Sequence, residues 1–438
     1  MREYFIENRQ LYGIFLFWIL MGIFTGPAIY LIVPLTVLLL MYKGMTEEFL
    51  MCYFFILILS DSFYEHVYFA KSIKNIYILL MAYQFFFNTR EFHPLNRLYK
   101  LFMPFFLFSL IPLFMSFQEP FFFTGFQKTL SYFFSFLFIP SYIEKLYREN
   151  GSAFFRRFIL FCFATLVLGF VLKYLAPDIA YLSSGRYRGI MGNPNGLGIY
   201  SFLIFILFFL LNEFFPELFS KNERLVIYAV IMLSIFMTDS RNSLIAAFLF
   251  YLFQKFFRSS QFLGIIVMLI LVFVTQIINA NIVQIIMALH LEGVFRLETL
   301  ENASGRYIAW NFVWIEIQNH FFLGKGFSYD EYFMLKHYDE LSMLGHQGGV
   351  HNSFLSFWMN QGLIGLLLFL RSFVLMFILA GKKTKLALPV MFSILFTAFF
   401  ESWLVGSLSA FAFLGVTIYT ILTSDEIVPQ KVNDQVLA

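Results

Sequence analysis

The 438-residue chain is too apolar for a water-soluble protein. It is 60% hydrophobic and 13% charged, with a mean hydropathy of +0.76, whereas soluble domains carry about 25% charged residues. A globule cannot bury that much apolar surface, so lipid must solvate most of it. The net charge of +3 is too small to indicate a nucleic-acid partner. Cys52 and Cys162 both lie in apolar runs, which is typical of buried thiols rather than disulfides or metal ligands.

Apolar segments long enough to cross a membrane recur along the chain. A crossing helix needs about 20 mostly apolar residues, and fewer where flanking residues reach the interface. The sequence therefore predicts an all-α polytopic membrane protein with about 12–14 transmembrane helices, forming a single transmembrane domain over residues 1–438. The first span lacks a small-residue cleavage site, so we expect a membrane helix rather than a removed signal peptide. The candidate spans are residues 11–25, 28–42, 47–60, 73–87, 99–117, 128–143, 156–175, 196–215, 224–239, 242–257, 262–280, 355–380, 385–404 and 406–423.

The positive charges indicate an orientation, because cytoplasmic loops carry an excess of Lys and Arg. With the N-terminus inside, eighteen of them fall in inside segments and seven in short outside loops. Both termini are therefore predicted to be cytoplasmic, and the polar stretch 281–354 to be an extracytoplasmic loop carrying short helices. The seven outside charges are Lys71, Lys74, Lys128, Lys173, Arg186, Arg188 and Arg241.

Three of these outside arginines lie at the edges of predicted helices. Arg186 and Arg188 belong to the glycine-rich segment before the eighth span, and Arg241 lies in the tight turn between the ninth and tenth spans. Ionisable groups so close to hydrocarbon are costly and are usually paired or functional. The alternative for Arg241 is a pair with Asp239 or contact with lipid phosphate.

The long loop contains a predicted amphipathic helix. Tyr307, Trp310, Trp314 and Ile317 follow helical spacing, which places Arg306 in the first turn and makes Ser304 a candidate N-cap. We expect this helix to lie at the outer interface. A Gly324-Lys325-Gly326 turn follows it, and His351-Asn352 lies at the mouth of the twelfth span.

Four histidines follow in this loop. His320 and His337 are interpreted as solvated loop histidines. His346 and His351 are five residues apart, a spacing without a common helical face, and no third ligand is evident. The sequence therefore predicts no metal site and no cofactor.

Taken together and in chain order, several short motifs resemble the O-antigen ligase / O-antigen polymerase superfamily. The resemblance covers residues 180–380, which we take as the functional region. The first 170 residues resemble the family only in being spans, and the span count exceeds that of typical ligases. The motifs are Gly185-Arg186-Tyr187-Arg188-Gly189, Gly192-Asn193-Pro194-Asn195-Gly196, Ser240-Arg241, Ser304-Gly305-Arg306 with Trp310, Gly324-Lys325-Gly326, and His351-Asn352.

The resemblance implies an inverting, metal-independent, GT-C-like glycosyltransferase at the outer face of the bacterial cytoplasmic membrane. Its donor would be a polyprenyl-pyrophosphate-linked glycan, used in cell-surface polysaccharide or lipopolysaccharide biosynthesis. The acceptor is the lipid A core in ligases and a second lipid-linked repeat in polymerases, and the sequence does not decide between them. The resemblance places pyrophosphate-binding arginines at Arg186 or Arg188 and at Arg241, with Arg306 matched by pattern alone, and the essential loop histidine at His351.

The chemistry supports the same residue types. Loss of a pyrophosphate from an anomeric carbon develops negative charge that a preorganised cation must stabilise, and guanidinium groups bind phosphate oxygens in pairs. A histidine that titrates near neutrality suits the deprotonation of an acceptor hydroxyl. For the aromatic candidates, anchoring at the membrane interface is an equal alternative to sugar binding. The candidate sugar-binding or orienting residues are Asn193, Asn195, Asn352, Tyr187 and Trp310.

Two other functions remain open at this point. A transporter or flippase of lipid-linked sugars predicts charges deep within spans and paired structural halves, but Arg371 is the main charge within a span and no two-half symmetry is evident. A metal-dependent GT-C enzyme would use Asp61 and Glu65 in an outer loop.

Overall fold

The computed structural model describes residues 2–87, 92, 95–280, 306–346 and 348–428, with the backbone alone at 2 and 272–280. Within these ranges the chain is helical, and an isolated bridge between Tyr181 and Tyr187 is its only extended pairing. The helices are α1 (Arg2–Glu7), α2 (Arg9–Phe24), α3 (Ile29–Tyr42), α4 (Thr46–Asp61), α5 (Phe69–Phe87), α6 (Arg97–Met115), α7 (Phe122–Asn150), α8 (Ser152–Leu175), α9 (Pro177–Ala180), α10 (Pro194–Phe214), α11 (Lys221–Met237), α12 (Arg241–Ser259), α13 (Gln261–Ala280), α14 (Arg306–Asn319), α15 (Tyr329–Lys336), α16 (Tyr338–Met343), α17 (Ser353–Gly381), α18 (Ala387–Phe400) and α19 (Ala410–Thr423).

Every predicted span coincides with one of these helices, so the all-α polytopic class is confirmed. Four helices in the described ranges, α6, α8, α10 and α17, are long and apolar enough to cross a membrane. Several shorter apolar helices, among them α2, α3, α18 and α19, match the remaining candidate spans.

The chain forms two compact units. The first comprises residues 1–100, 131–247 and 406–438. Its centre is aromatic: Phe54 stacks on Phe413 with ring centroids 4.5 Å apart, and α10 packs against α8, α11 and α19. Cys52 and Cys162 are buried free thiols in this unit, as predicted.

The second unit comprises residues 101–130 and 248–405. In it the long-loop helices α14 and α15 pack against α17 around Ala309, Val313, Ile317 and Met359. The helix predicted from residue 304 onward is confirmed from Arg306, and Ser304 lies outside the described residues. Its buried residues are Ala309, Val313 and Ile317, whereas Tyr307 and Trp314 are exposed. The helix has two apolar sides, and the side with Ala309, Val313 and Ile317 packs against the rest of the second unit.

The twelfth predicted span is a broken helix. Within α17, Gly362 has φ 65° and ψ 179°, which interrupts the helical hydrogen bonds. The segment 321–326 supplies partners instead: the amides of Leu363 and Ile364 donate to the carbonyls of Phe321 and Phe322. The 19 residues after the break, 363–381, are about 28 Å long at 1.5 Å per residue, which matches the hydrocarbon thickness of a bilayer.

The Gly324-Lys325-Gly326 motif donates hydrogen bonds to the residues of α17 that precede the break. The amides of Lys325 and Gly326 donate to the carbonyls of Met359 (3.3 Å) and Asn360 (2.6 Å). Gly324 has φ +68°, and a Cβ there would lie 2.4 Å from the Gly362 nitrogen. Glycine is therefore required by both backbone conformation and space.

We expect Gly324→Ala to destabilise the second unit and to lower the thermal unfolding temperature of the purified protein in detergent. A positive φ costs an alanine about 1–2 kcal/mol, and the contact with the Gly362 backbone adds to that. Gly345→Ala is the matched control, since Gly345 has φ +90° with open space around its Cβ. If both variants lowered the unfolding temperature equally, the close contact between residue 324 and the Gly362 backbone would contribute nothing to the effect.

Candidate functional site

Arg186 ties the loop before α10 to the turn between α11 and α12 in the first unit. Its Nη2 donates to Asn195 Oδ1 and to the Thr238 carbonyl, both at 3.0 Å, and lies 3.4 Å from the Asp239 carbonyl. The first unit thus brings together residues predicted from two separate motifs.

Arg188 binds the backbone of its own loop. Its Nε donates to the Ile179 carbonyl at 2.9 Å, Nη2 to that of Asp178 at 3.1 Å, and Nη1 to that of Gly192 at 3.4 Å. All three guanidinium nitrogens therefore hold the 178–192 segment in shape.

The Gly192-Asn193-Pro194 motif starts α10. Asn193 is its N-cap and accepts from the Gly196 amide at 2.7 Å, with Pro194 in the first turn. Asp61, a candidate metal ligand of the GT-C alternative, accepts from the Gly192 amide through Oδ2 at 3.0 Å. Its partner in that alternative, Glu65, lies in a short 3₁₀ turn.

Arg241 is exposed at the first residue of α12. The turn that presents it is held firmly: Ser240 and Ser243 are buried with their hydroxyls 3.1 Å apart, and Asp239 has the positive φ of 51°. Within the described residues Arg241 forms no ion pair, so the alternative pairing with Asp239 is not observed.

Tyr187 is an interior residue, only 2% exposed. Its ring is parallel to that of Phe170 at a centroid distance of 5.8 Å, and burial raises the pKa of its hydroxyl. The face predicted as a sugar platform is therefore packed against protein.

In the second unit, His351 is hydrogen-bonded to a carboxylate that the sequence reasoning missed. Its Nδ1 lies 3.0 Å from Glu401 Oε2. The imidazole is 31% exposed, whereas Glu401 is only 8% exposed. Because an ionised carboxylate can only accept, this contact requires the proton on Nδ1, and in the neutral imidazole Nε2 then has the free lone pair.

Arg306 contacts the other oxygen of the same carboxylate. Its Nη2 lies 2.8 Å from Glu401 Oε1, and its Cζ is 5.9 Å from the centre of the Phe400 ring. Two predicted site residues from opposite ends of the long loop, Arg306 and His351, are therefore brought together through Glu401.

The backbone around His351 is fixed by the segment after α18. The Asn352 amide donates to Ser402 Oγ at 3.0 Å, and Ser353 Oγ donates to the Glu401 carbonyl at 2.6 Å. Asn352 Oδ1 caps α17, accepting from Phe354 and Leu355. Glu401 therefore orients the imidazole, whereas the sequence made Asn352 the candidate for an orienting role.

His351 itself has φ +50°, a left-handed conformation that is costly for a non-glycine residue. Among the described residues only Asp239, Ser328 and His351 share this feature. Two of the three lie at or next to candidate site residues, which is typical of functional positions.

A glycine-rich turn lies beside the Nε2 edge of the imidazole. A Cβ on Gly348, which has φ +124°, would lie 3.0 Å from His351 Nε2. The ring of His346 is 6.0 Å from that of His351, and its Nε2 lies 3.1 Å from the Gly349 carbonyl. His346 thus shapes the turn rather than sharing a ligand with His351.

Trp310 braces the same turn. Its Nε1 donates to the Val350 carbonyl at 3.0 Å, and its ring makes an edge contact with Phe399 at 5.4 Å.

The other two loop histidines lie near carboxylates: His337 lies 3.2 Å from Glu340, and His320 lies 3.6 Å from Glu316. Burial and then Lys325 lower the pKa of His320 below its usual range.

Glu401 escaped the sequence reasoning because it falls inside the predicted span 385–404. Helix α18 ends at Phe400, and Glu401 is already extended. The available signal was an acidic residue in the apolar run Phe399-Phe400-Glu401-Ser402-Trp403, since an ionisable group within a span indicates function.

One part of the chain matches a known protein family. Residues 225–370, one third of the chain, match the family model described as O-antigen ligase. Over this range the chain is similar to the O-antigen ligase family. The match confirms the resemblance to the O-antigen ligase / polymerase superfamily. Comparison with curated proteins finds no match.

The family match and the apolar helices together indicate a membrane protein with a ligase/polymerase-type enzymatic role in glycan assembly, which implies lipid-linked glycan substrates. The matched range includes Arg241, Arg306, Trp310, His351 and Asn352. The arginine loop before α10 precedes the range, and Glu401 follows it.

We expect Arg188 and Arg241 to respond differently to alanine substitution. Arg188→Ala removes main-chain contacts, so it should lower the free energy of unfolding by about 1.5–3 kcal/mol, the value of a hydrogen bond to a charged group. Arg241→Ala should leave the unfolding temperature unchanged and lower glycan transfer by about 10²–10³-fold. The measurements are thermal unfolding in detergent and product formation per folded molecule. An Arg241→Ala variant that unfolds as early as Arg188→Ala would contradict this assignment.

Proposed function

We propose that this protein transfers a glycan from polyprenyl pyrophosphate to a sugar hydroxyl at the outer face of the bacterial cytoplasmic membrane, with both termini cytoplasmic. The observation that carries the proposal is the contact of His351 Nδ1 with the buried Glu401, which leaves Nε2 as a hydrogen-bond acceptor. A histidine held this way at the end of the long loop is suited to act as a general base.

The reaction is a single displacement with inversion at the anomeric carbon. The acceptor hydroxyl gives its proton to His351 Nε2, and its oxygen forms a bond to the anomeric carbon of the donor sugar. The bond from that carbon to the pyrophosphate oxygen breaks, and polyprenyl pyrophosphate leaves with the electron pair. Glu401 stabilises the imidazolium that forms.

The proposal assigns the developing negative charge to arginines rather than to a metal ion. Arg241 is exposed on a rigid turn, and Arg186 contacts the same turn through the Thr238 carbonyl. Arg188 supports the loop that presents Arg186. Arg306 devotes Nη2 to Glu401, so its share in binding the pyrophosphate is smaller than the resemblance implies.

The sugar-contacting residues remain proposals. Asn193 and Asn352 use their side-chain oxygens as helix caps, so sugar contacts from them would come from the Nδ2 groups. The oxygen of Asn195 accepts from Arg186, while Tyr187 and Trp310 shape the two loops. The acceptor is either the lipid A core or a second lipid-linked repeat, as in ligases and polymerases respectively.

The test uses purified protein in liposomes with a synthetic polyprenyl-pyrophosphate glycan and an oligosaccharide acceptor. We expect His351→Ala to lower the transfer rate by about 10²–10⁴-fold, the range for loss of a general base. His337→Ala is the matched control, because His337 lies on the same loop beside Glu340, and it should retain full activity.

The same liposomes distinguish the alternative function. Movement of the labelled lipid-linked sugar across the bilayer without a new glycosidic bond would favour a flippase, for which Arg371 within α17 is the relevant charge. Full transfer activity in His351→Ala would sink the proposed mechanism.

A further inference from the structure

Glu401 is the element of the site that neither the resemblance nor the family match assigns. It lies beyond residue 370, and it is the residue through which Arg306 and His351 are joined. Its place in the fold is unusual, because a carboxylate directly after the C-terminus of α18 faces the negative end of the helix dipole. A buried carboxylate in such a place needs cationic or hydrogen-bonding partners.

Glu401 has two such partners, one for each carboxylate oxygen. Oε1 receives Arg306 Nη2 at 2.8 Å, and Oε2 receives His351 Nδ1 at 3.0 Å. The carboxylate is held in place by its own backbone as well, since the Glu401 carbonyl accepts from Ser353 Oγ at the start of α17. The imidazole and the carboxylate are thus fixed to the same helix end.

This arrangement is unfavourable for a pyrophosphate at Arg306. A guanidinium and a carboxylate 2.8 Å apart have no net charge, so an approaching pyrophosphate is repelled by Glu401 nearly as much as it is attracted by Arg306. Arg241 differs, because within the described residues no carboxylate is paired with it.

Building on the proposed function, we propose that Glu401 is the positioning residue of the transfer reaction and that Arg306 acts through Glu401 rather than on the donor. Glu401 selects the His351 tautomer with the proton on Nδ1, so that Nε2 accepts the proton of the acceptor hydroxyl. Arg306 anchors the carboxylate and balances its charge.

The two assignments of Arg306 predict different kinetics. A residue that binds the pyrophosphate affects the KM for the donor when it is removed. A residue that acts through Glu401 lowers kcat at unchanged donor KM, and its effect disappears once Glu401 can no longer hold the histidine. Residues that act as one unit are strongly non-additive.

The experiment is a double-mutant cycle in the liposome transfer assay with Arg306→Gln, Glu401→Gln and the double variant. We expect each single variant to lower kcat by about 10–100-fold, the range for carboxylates that orient a functional histidine. The donor KM should stay within twofold of wild type, and the double variant should be no slower than Glu401→Gln alone. Arg241→Ala is the reference for a donor-binding residue and should raise the donor KM.

Controls separate folding from positioning. Glu401→Gln keeps the shape of a buried side chain, and its unfolding temperature is measured beside that of wild type. If it fails to fold, Arg306→Gln alone still decides the issue through its effect on kcat against donor KM, because Arg306 is 20% exposed and can be replaced with less disturbance.

Each outcome has a distinct meaning. A donor KM raised in Arg306→Gln as in Arg241→Ala, or kcat losses that multiply in the double variant, would overturn the inference and restore Arg306 to the donor site. Neither result affects the proposed function, which is tested separately by the transfer rate of His351→Ala and by the search for lipid movement without a new glycosidic bond.

Discussion

The second unit depends on the exchange of backbone hydrogen bonds at the Gly362 break. A helix within hydrocarbon must satisfy its own backbone, and an interruption survives only where protein supplies the missing partners. Here the segment 321–326 supplies both donors and acceptors to α17. Asp330 extends the contact, since it accepts from the Asn360 side chain at 3.0 Å. The long loop is thereby anchored to α17 a few turns after His351 in the chain.

The buried carboxylate of Glu401 has two roles that are often divided between residues. Glu401 neutralises an arginine and orients a histidine, each through its own oxygen. The strain at His351, with φ +50°, is tolerated because the flanking residues Asn352 and Ser353 are bonded to the 401–402 segment. A general base must be held in one orientation, by residues that are themselves held in place, if it is to meet a hydroxyl in one geometry.

The amino-acid sequence predicted the helices well because apolar length decides where membrane helices occur. It also predicted Arg306 in the first turn of α14 and the turn before Arg241, since both are local patterns. It did not predict the break at Gly362, because the partners of the broken helix lie some forty residues earlier in the chain. Glu401 was missed for a similar reason, because its role depends on contacts with His351 and Arg306, which lie 50 and 95 positions away in the chain. Tyr187 and the cap residues Asn193 and Asn352 show a further limit, since polar and aromatic residues of a motif can serve the backbone as readily as a ligand.

The position of Glu401 also bears on how this protein can be divided. The family match ends at residue 370, a boundary that looks natural for exchanging domains between ligases with different acceptors. A chimaera cut there would inherit His351 and Arg306 but take the residue between them from the other parent. Its inactivity would then reflect a mismatched carboxylate rather than an incompatible acceptor, so exchanges meant to transplant specificity should extend through the segment after α18.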